Sequence, residues 1–196
     1  MDVLKAIRTR RSIGKVKPDL VEKDKIEKIL EAASWAPNHH MTEPWKFFVL
    51  TGEGRRPLGR ILAEIAKEGM EDPDTPQNRE KLKRAEAKAF RAPVIIAVAC
   101  TPAVAKPNVE KIEEQAAVSA AIQNMLLTAH ALGLGAIWRT GKPAYHPKMK
   151  ALFGLKEEDE LMGFIYLGYP DIEPPLRTRT PVEKKTIWIE NDQPYA

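Results

Sequence analysis

The 196-residue sequence is poor in the features that announce many protein classes: one cysteine, four histidines, 7% aromatic residues and charges that nearly cancel. The single Cys100 cannot form an internal disulfide, and the start Met1-Asp2-Val3-Leu4-Lys5 lacks the apolar segment of a secretory signal. The cytoplasm is therefore the expected compartment. The longest apolar stretch, around Ala92 to Cys100, is about half of what a bilayer-crossing helix needs, so no membrane span is expected. Lysine and arginine number 31 against 27 acidic residues, a net charge of +4 spread along the chain, and no nucleic-acid arm is visible. His39, His40, His130 and His146 have no cysteine or carboxylate at ligand spacing, which argues against a protein-built metal site. No P-loop, Gly-x-Ser-x-Gly elbow or His-Glu-x-x-His pair occurs. Gly133-Leu134-Gly135 begins like a dinucleotide fingerprint, but Trp138 stands at the third glycine position and a helix precedes it instead of a strand.

What is present is enough apolar residue, 43%, for a substantial core. Asp2 can cap a short helix with Val3, Ala6 and Ile7 on one edge, leading into Arg8-Thr9-Arg10-Arg11-Ser12. Ile26, Ile29, Leu30 and Ala33 recur at helical spacing after Pro18, and Pro37 ends that helix before a loop with two histidines. Trp45 to Leu50 reads as a strand, and Leu58, Ile61, Leu62 and Ile65 as a second amphipathic helix. Arg79 to Phe90 follows as a charged helix with a thin apolar edge, expected to be a mobile flank. Val94 to Ala99 is apolar without interruption, the pattern of a central strand covered on both faces. Asn108 can cap the next helix, which is apolar nearly all round from Ala116 to Leu132 and must be buried in the domain or between two copies. Gly133 ends it. Ala136 to Trp138 and Leu161 to Leu167 read as strands, with a short helix from Pro147 to Phe153 between them. The proline-rich tail from Asp171 ends in the apolar Ile187-Trp188-Ile189, which must lean on something else.

Three clusters could carry chemistry. Arg10-Arg11-Ser12 offers two guanidinium forks and a hydroxyl that match phosphate oxygens, although the same residues suit a solvated charge run. Trp138-Arg139-Thr140 suits a flat polar ligand, or equally a core tryptophan beside a surface arginine. Arg177-Thr178-Arg179 is a further anion contact or a solvated tail. Trp35 reads first as a core or interface anchor, and Cys100 as a small hydrophobe.

Taken in order, these pieces resemble the FMN-dependent nitroreductase family, in its compact branch. The resemblance rests on Arg10-Arg11-Ser12, Ala36-Pro37 followed by Pro44-Trp45-Lys46-Phe47, Ala121 to Leu127, Ala131 to Gly135, Gly163 to Pro170 and Arg179 to Glu183. It implies an α+β sandwich with a mainly antiparallel central sheet flanked by helices. It also implies one domain over residues 1–196 and an intertwined homodimer, with a tail from about residue 171 to 196 that reaches the partner subunit. FMN is the implied cofactor, with NADH or NADPH as electron donor. Arg10, Arg11 and Ser12 match the first flavin segment, Trp138, Arg139 and Thr140 the second, and Arg179 a basic tail residue associated with the phosphate. Trp35 and His39 match positions that contact flavin, from the opposite subunit. Many relatives place asparagine and glutamine before Pro-Trp, where this chain has Met41 and Glu43.

The implied function is ping-pong reduction of nitroaromatics, quinones or related electrophiles by NAD(P)H, with the flavin supplying the redox chemistry and no protein nucleophile. A non-catalytic FMN-binding sensor or carrier is the alternative. A nucleic-acid contact through Lys81, Lys83, Arg84 and Lys88 is disfavoured, because Glu80 and Glu86 alternate with them as on a solvated helix face.

Overall fold

A computed structural model describes residues 1–103, 105–174 and 177–190. Its centre is one antiparallel sheet of β1 (Trp45–Thr51), β2 (Val94–Cys100), β3 (Gly135–Arg139) and β4 (Glu160–Gly168), in the order β1-β2-β4-β3. Every residue of β2 is buried, and its alternation shows why no polar residue interrupts it. Val94, Ile96, Val98 and Cys100 enter the core on one face, and Ile95, Ala97 and Ala99 the core on the other.

Helices α2 (Lys23–Ser34) and α5 (Lys111–Ala131) cover the first face. Ile26, Ile29 and Ala33 of α2 meet Val118, Ala121, Ile122 and Met125 of α5 in that core. Asn124 also donates to the Ala32 carbonyl at 3.0 Å. Met125 is completely buried, so its truncation to alanine is worth about 2–5 kcal/mol. Helices α3 (Arg56–Lys67), α4 (Pro76–Ala87) and α6 (Pro147–Leu152) lie over the second face, where Leu58, Leu62, Ala89 and Met149 close the core. The short α1 (Val3–Thr9) starts as its sequence predicts, with Asp2 accepting from the Lys5 amide at 3.1 Å.

Four expectations change. The charged helix starts earlier, at Pro76, because Thr75 caps it by accepting from the Asn78 amide and proline suits the first turn. It is a packed layer instead of a loose flank, since Ala85 and Ala89 are buried. Asn108 does not cap α5; it takes a left-handed turn conformation (φ 60°), and Glu110 occupies the cap position. The apolar edge expected on α1 is buried only at Ala6, with Val3 62% and Ile7 52% exposed.

The segment after α1 is stapled to the sheet edge. Ile13 donates to the Ala136 carbonyl at 2.9 Å, Ser12 bridges Ala136, and Val16 bridges Pro170. A clasp holds the far end: Tyr169 donates its hydroxyl proton to Glu22 at 2.6 Å and accepts from Lys25 at 2.6 Å. The Tyr169 hydrogen bond is the main reason that the Glu22 carboxyl is held down at about 2.

Candidate functional site

The first corner forms where α1 ends. Arg10 caps α1 through its backbone amide, which donates to the Ala6 carbonyl at 2.9 Å, and its half-buried side chain carries a buried Nη1 with no hydrogen-bond partner. Burial, then Arg11, then Arg179 push the Arg10 pKa below its ordinary value, so three arginines from two distant segments share one neighbourhood. Arg11 is braced locally, its Nη1 donating to the carbonyls of Arg8 and Arg10 at 2.8 Å. His130, in the last turn of α5, belongs to the same corner. Its pKa is lowered by burial first and then by Arg10 and Arg11. A buried guanidinium N–H without an acceptor is costly unless a ligand supplies one, so this corner suits an anion.

The second segment lies next to it. Trp138 donates its indole N–H to the Met162 carbonyl at 3.0 Å and packs against the α2/α5 core. Gly163 makes that possible, because a Cβ there would stand 2.7 Å from Trp138 Nε1 and 2.6 Å from the Arg139 carbonyl, and its φ of +133° favours glycine. Arg139 turns to the opposite face, its guanidinium 5.1 Å from the Tyr166 ring centroid and its buried Nε without a partner. Gly14 opens the way, since a Cβ on it would lie 3.1 Å from Arg139 Nη2. The first triplet therefore runs up to the start of β3, where Ser12 bridges Ala136, and the second lies at the other end of that strand, with Ser12 and Thr140 exposed.

Trp35 and His39 are not brought to that place on the same chain. Trp35 caps the end of α2 and is 81% exposed, so it anchors no core of its own subunit. His39 Nδ1 lies 2.7 Å from Glu113 in the first turn of α5. Glu113 and His130 are separated along α5 by about 25 Å at 1.5 Å per residue, so the two groups of candidate residues sit at opposite ends of one helix.

Around His39 the loop is strained. His40, Met41 and Glu43 all have φ between 46° and 54°, a conformation that costs non-glycine residues energy and must be held from outside. Glu114 does much of that holding. It is completely buried, accepts from the Thr42 hydroxyl at 2.5 Å and from the Ala103 amide at 3.1 Å, and so ties the loop before β1 to the stretch after β2. Glu114 is a functional tether that the sequence analysis did not single out. Its phase was the missed signal, because it lies on the same stripe as the buried Ala117, Val118 and Ala121.

Arg91 and Tyr166 were also passed over, and Lys88 was weighed only as a nucleic-acid contact; all three join Arg139 in lining a cavity of about 490 Å³ beneath α3. Cys100 is inert in this arrangement, its thiol pushed up to about 12 chiefly by burial. Among the described residues no group of histidine, cysteine or carboxylate side chains could hold a metal ion, and no helix is long and apolar enough to cross a membrane.

A family model described as "Nitroreductase family" matches residues 7–169, and the chain belongs to that family of oxidoreductases. The chain is 33% identical over 178 residues to the Escherichia coli K12 protein named "Putative NAD(P)H nitroreductase YdjA", covering 88% of this chain and 91% of that one. A solved nitroreductase-like family protein from Bacillus cereus is 30% identical and superposes with a TM-score of 0.82 over 97% of each chain. A nitroreductase from Desulfovibrio desulfuricans, solved in complex with FMN, is 28% identical with a TM-score of 0.73, covering 100% of this chain and 99% of that one. The α+β fold with a mainly antiparallel sheet, expected from the resemblance, is the fold observed.

Proposed function

We propose that this chain is an FMN-dependent oxidoreductase that takes electrons from NADH or NADPH and passes them to nitroaromatics, quinones or related electrophiles in a ping-pong order. The observation that carries this reading is the buried, unpartnered Nη1 of Arg10 in a corner shared with Arg11 and Arg179, at the C-terminal end of α5. These residues fit a phosphate-bearing cofactor. Arg10, Arg11 and Arg179 hold its phosphate, with the cations of the first segment also meeting the pyrimidine edge, and Ser12 adds a hydroxyl. Trp138, Arg139 and Thr140 line the flat portion. When bound, FMN supplies the hydride-accepting and hydride-donating chemistry. The chain's own work is to bind and orient that group, to shield one side from water, and to stabilise negative charge with its guanidinium groups.

The site is completed by a second copy. The placement of His39 against the first turn of α5, a helix length away from the cationic corner, supports a homodimer in which the partner's Trp35 and the partner's His39 reach that corner. Uncovered apolar side chains support it too: Val3, Leu4 and Ile7 on α1, Ile112 on α5, and Met41. Residues 1–196 act as one domain, and the tail from about residue 171 crosses to the partner; residues 175, 176 and 191–196 of it lie outside the described residues. Ile187, Trp188 and Ile189 make no strand on their own chain and are at least 67% exposed. An apolar cavity of about 490 Å³ beside β1, lined by Leu20, Ile26, Leu30 and Val49, offers such a segment a seat. We also place the protein in the cytoplasm, without a nucleic-acid or membrane partner.

The test is the visible spectrum of the purified protein, before and after anaerobic NADPH. Flavin absorbance that bleaches, and recovers on adding a nitroaromatic, is expected. Arg10→Ala combined with Arg11→Ala should weaken FMN binding by about 100-fold or more, since hydrogen bonds to charged groups are each worth roughly 1.5–3 kcal/mol. A double variant that purifies yellow with unchanged affinity overturns the assignment, and bound FMN without turnover identifies a sensor or carrier instead.

A further inference from the structure

The cavity beneath α3 has a charge pattern that the cofactor corner does not explain. Its charged lining is Lys88, Arg91 and Arg139, with no carboxylate, and its walls include the aromatic rings of Phe164 and Tyr166 and the apolar Ile137 and Leu62. None of the three cations makes an ion pair among the described residues, which holds for many exposed lysines elsewhere too; what sets these three apart is that they line one cavity without a carboxylate. Arg139 lies inside with its Nε buried and unpartnered, while Lys88 and Arg91 are exposed. Phe164 and Tyr166 are each only 6% exposed. At about 490 Å³ the space falls within the roughly 300–1,000 Å³ of small-molecule pockets.

We propose that this cavity binds the carboxylate end of a planar aromatic acid, which makes nitroaromatics that also carry a carboxylate the favoured oxidants of the enzyme, the nitro group taking the electrons and the carboxylate serving only as the handle. The inference rests on the oxidoreductase reading for the word oxidant, but the binding site stands on its own geometry. Lys88 and Arg91 at the mouth, beside Arg139, offer an anion a cationic end, and the aromatic and aliphatic walls favour a flat ring over a hydrated inorganic ion. The cavity shares Trp138, Arg139 and Thr140 with the end of β3, so a ligand seated there adjoins the segment assigned to the cofactor. Tyr166 fits the same chemistry. Burial raises its pKa and keeps the phenol protonated as a donor, with Arg139 and Arg91 as its charged neighbours.

The experiment compares 4-nitrobenzoate with its neutral methyl ester on the purified protein as isolated. Each is titrated calorimetrically and assayed as an oxidant, in the wild type and in Lys88→Ala combined with Arg91→Ala. The wild type should bind the acid at least tenfold more tightly than the ester. In the double variant the dissociation constant and KM of the acid should rise tenfold or more, those of the ester should stay within twofold, and FMN content should not change. Equal shifts for acid and ester, no detectable binding of the acid by the wild type, or loss of FMN from the double variant each overturn the proposal; the last assigns the cavity to the cofactor. Carboxylate binding that weakens as expected in a protein without turnover leaves the site intact and removes only the enzyme reading.

Discussion

The two ends of α5 carry opposite chemistry. At its C-terminal end Arg10, Arg11, Arg179 and His130 gather positive charge around a buried N–H that lacks an acceptor. At its N-terminal end Glu113 and the buried Glu114 gather acceptors around a strained loop, meeting His39, Thr42 and the Ala103 amide. The first end is poised for a ligand and the second is finished as structure, yet the second presents Trp35 and Met41 to solvent at more than 80% exposure. A helix that joins an incomplete binding corner to an exposed aromatic platform makes sense when two copies meet, each supplying what the other lacks.

The largest effect should come from separating the copies. Replacing Ile187, Trp188 and Ile189 together by serine removes three exposed apolar side chains without touching a described core. If they anchor the tail on the partner, dimer affinity should fall by about 100-fold or more, as for loss of a buried tryptophan hot spot, and FMN affinity should fall with it. Sedimentation at several concentrations and flavin retention read the two quantities. A variant that remains dimeric with full flavin content breaks the comparison, because the partner would then depend on other surfaces.

A smaller effect is expected at the finished end. Glu114→Ala removes the acceptor of the Ala103 amide, at about 1–3 kcal/mol, and turns the Thr42 hydroxyl back on the His39 carbonyl at 3.2 Å. Urea unfolding should show a loss of about 1–3 kcal/mol, with Glu114→Gln losing less because its side-chain oxygen still accepts one hydrogen bond. Since Glu114 holds the loop before β1, flavin affinity should fall less than in the Arg10 and Arg11 pair. A Glu114→Ala protein as stable as the wild type would show that the left-handed loop needs no tether.

Much of the frame was legible from periodicity. The unbroken apolar run of β2 announced a strand covered on both faces, and α2 and β4 followed from spacing, because burial on one or two faces leaves a pattern in the chain. The cap of α5 was misplaced because Asn108 suits two local structures, a helix cap and a left-handed turn, and sequence alone does not rank them. The meeting of the 10–14 segment with Arg139 depends on a sheet edge and on room left by Gly14, neither of which has a local signature. The cavity under α3 was illegible for the same reason. Its cations come from the end of α4 and from β3, and only the antiparallel order that puts β3 beside β4 brings Arg139 to Tyr166.

The smallest and most specific effect concerns His130. The single proton of the Thr9 hydroxyl is committed to the Lys5 carbonyl at 2.7 Å, so His130 Nε2, 2.8 Å from the same oxygen, acts as the donor. Burial and the two arginines keep the imidazole neutral below its ordinary value of 6.5. The sign follows from proton binding: between the lowered folded value and 6.5 the unfolded chain takes up a proton that the folded chain refuses, so stability is complete above 6.5 and declines as the pH falls below it. His130→Gln should flatten that decline in urea midpoints measured from pH 7.5 to 5. An anion on Arg10 and Arg11 should act in the opposite direction, raising the imidazole pKa, so the His130 resonance should titrate at higher pH when inorganic phosphate is added. A titration that phosphate does not move would mean that the cations of this corner do not bind the anion, and the contrast between the two ends of α5 would lose its chemical basis.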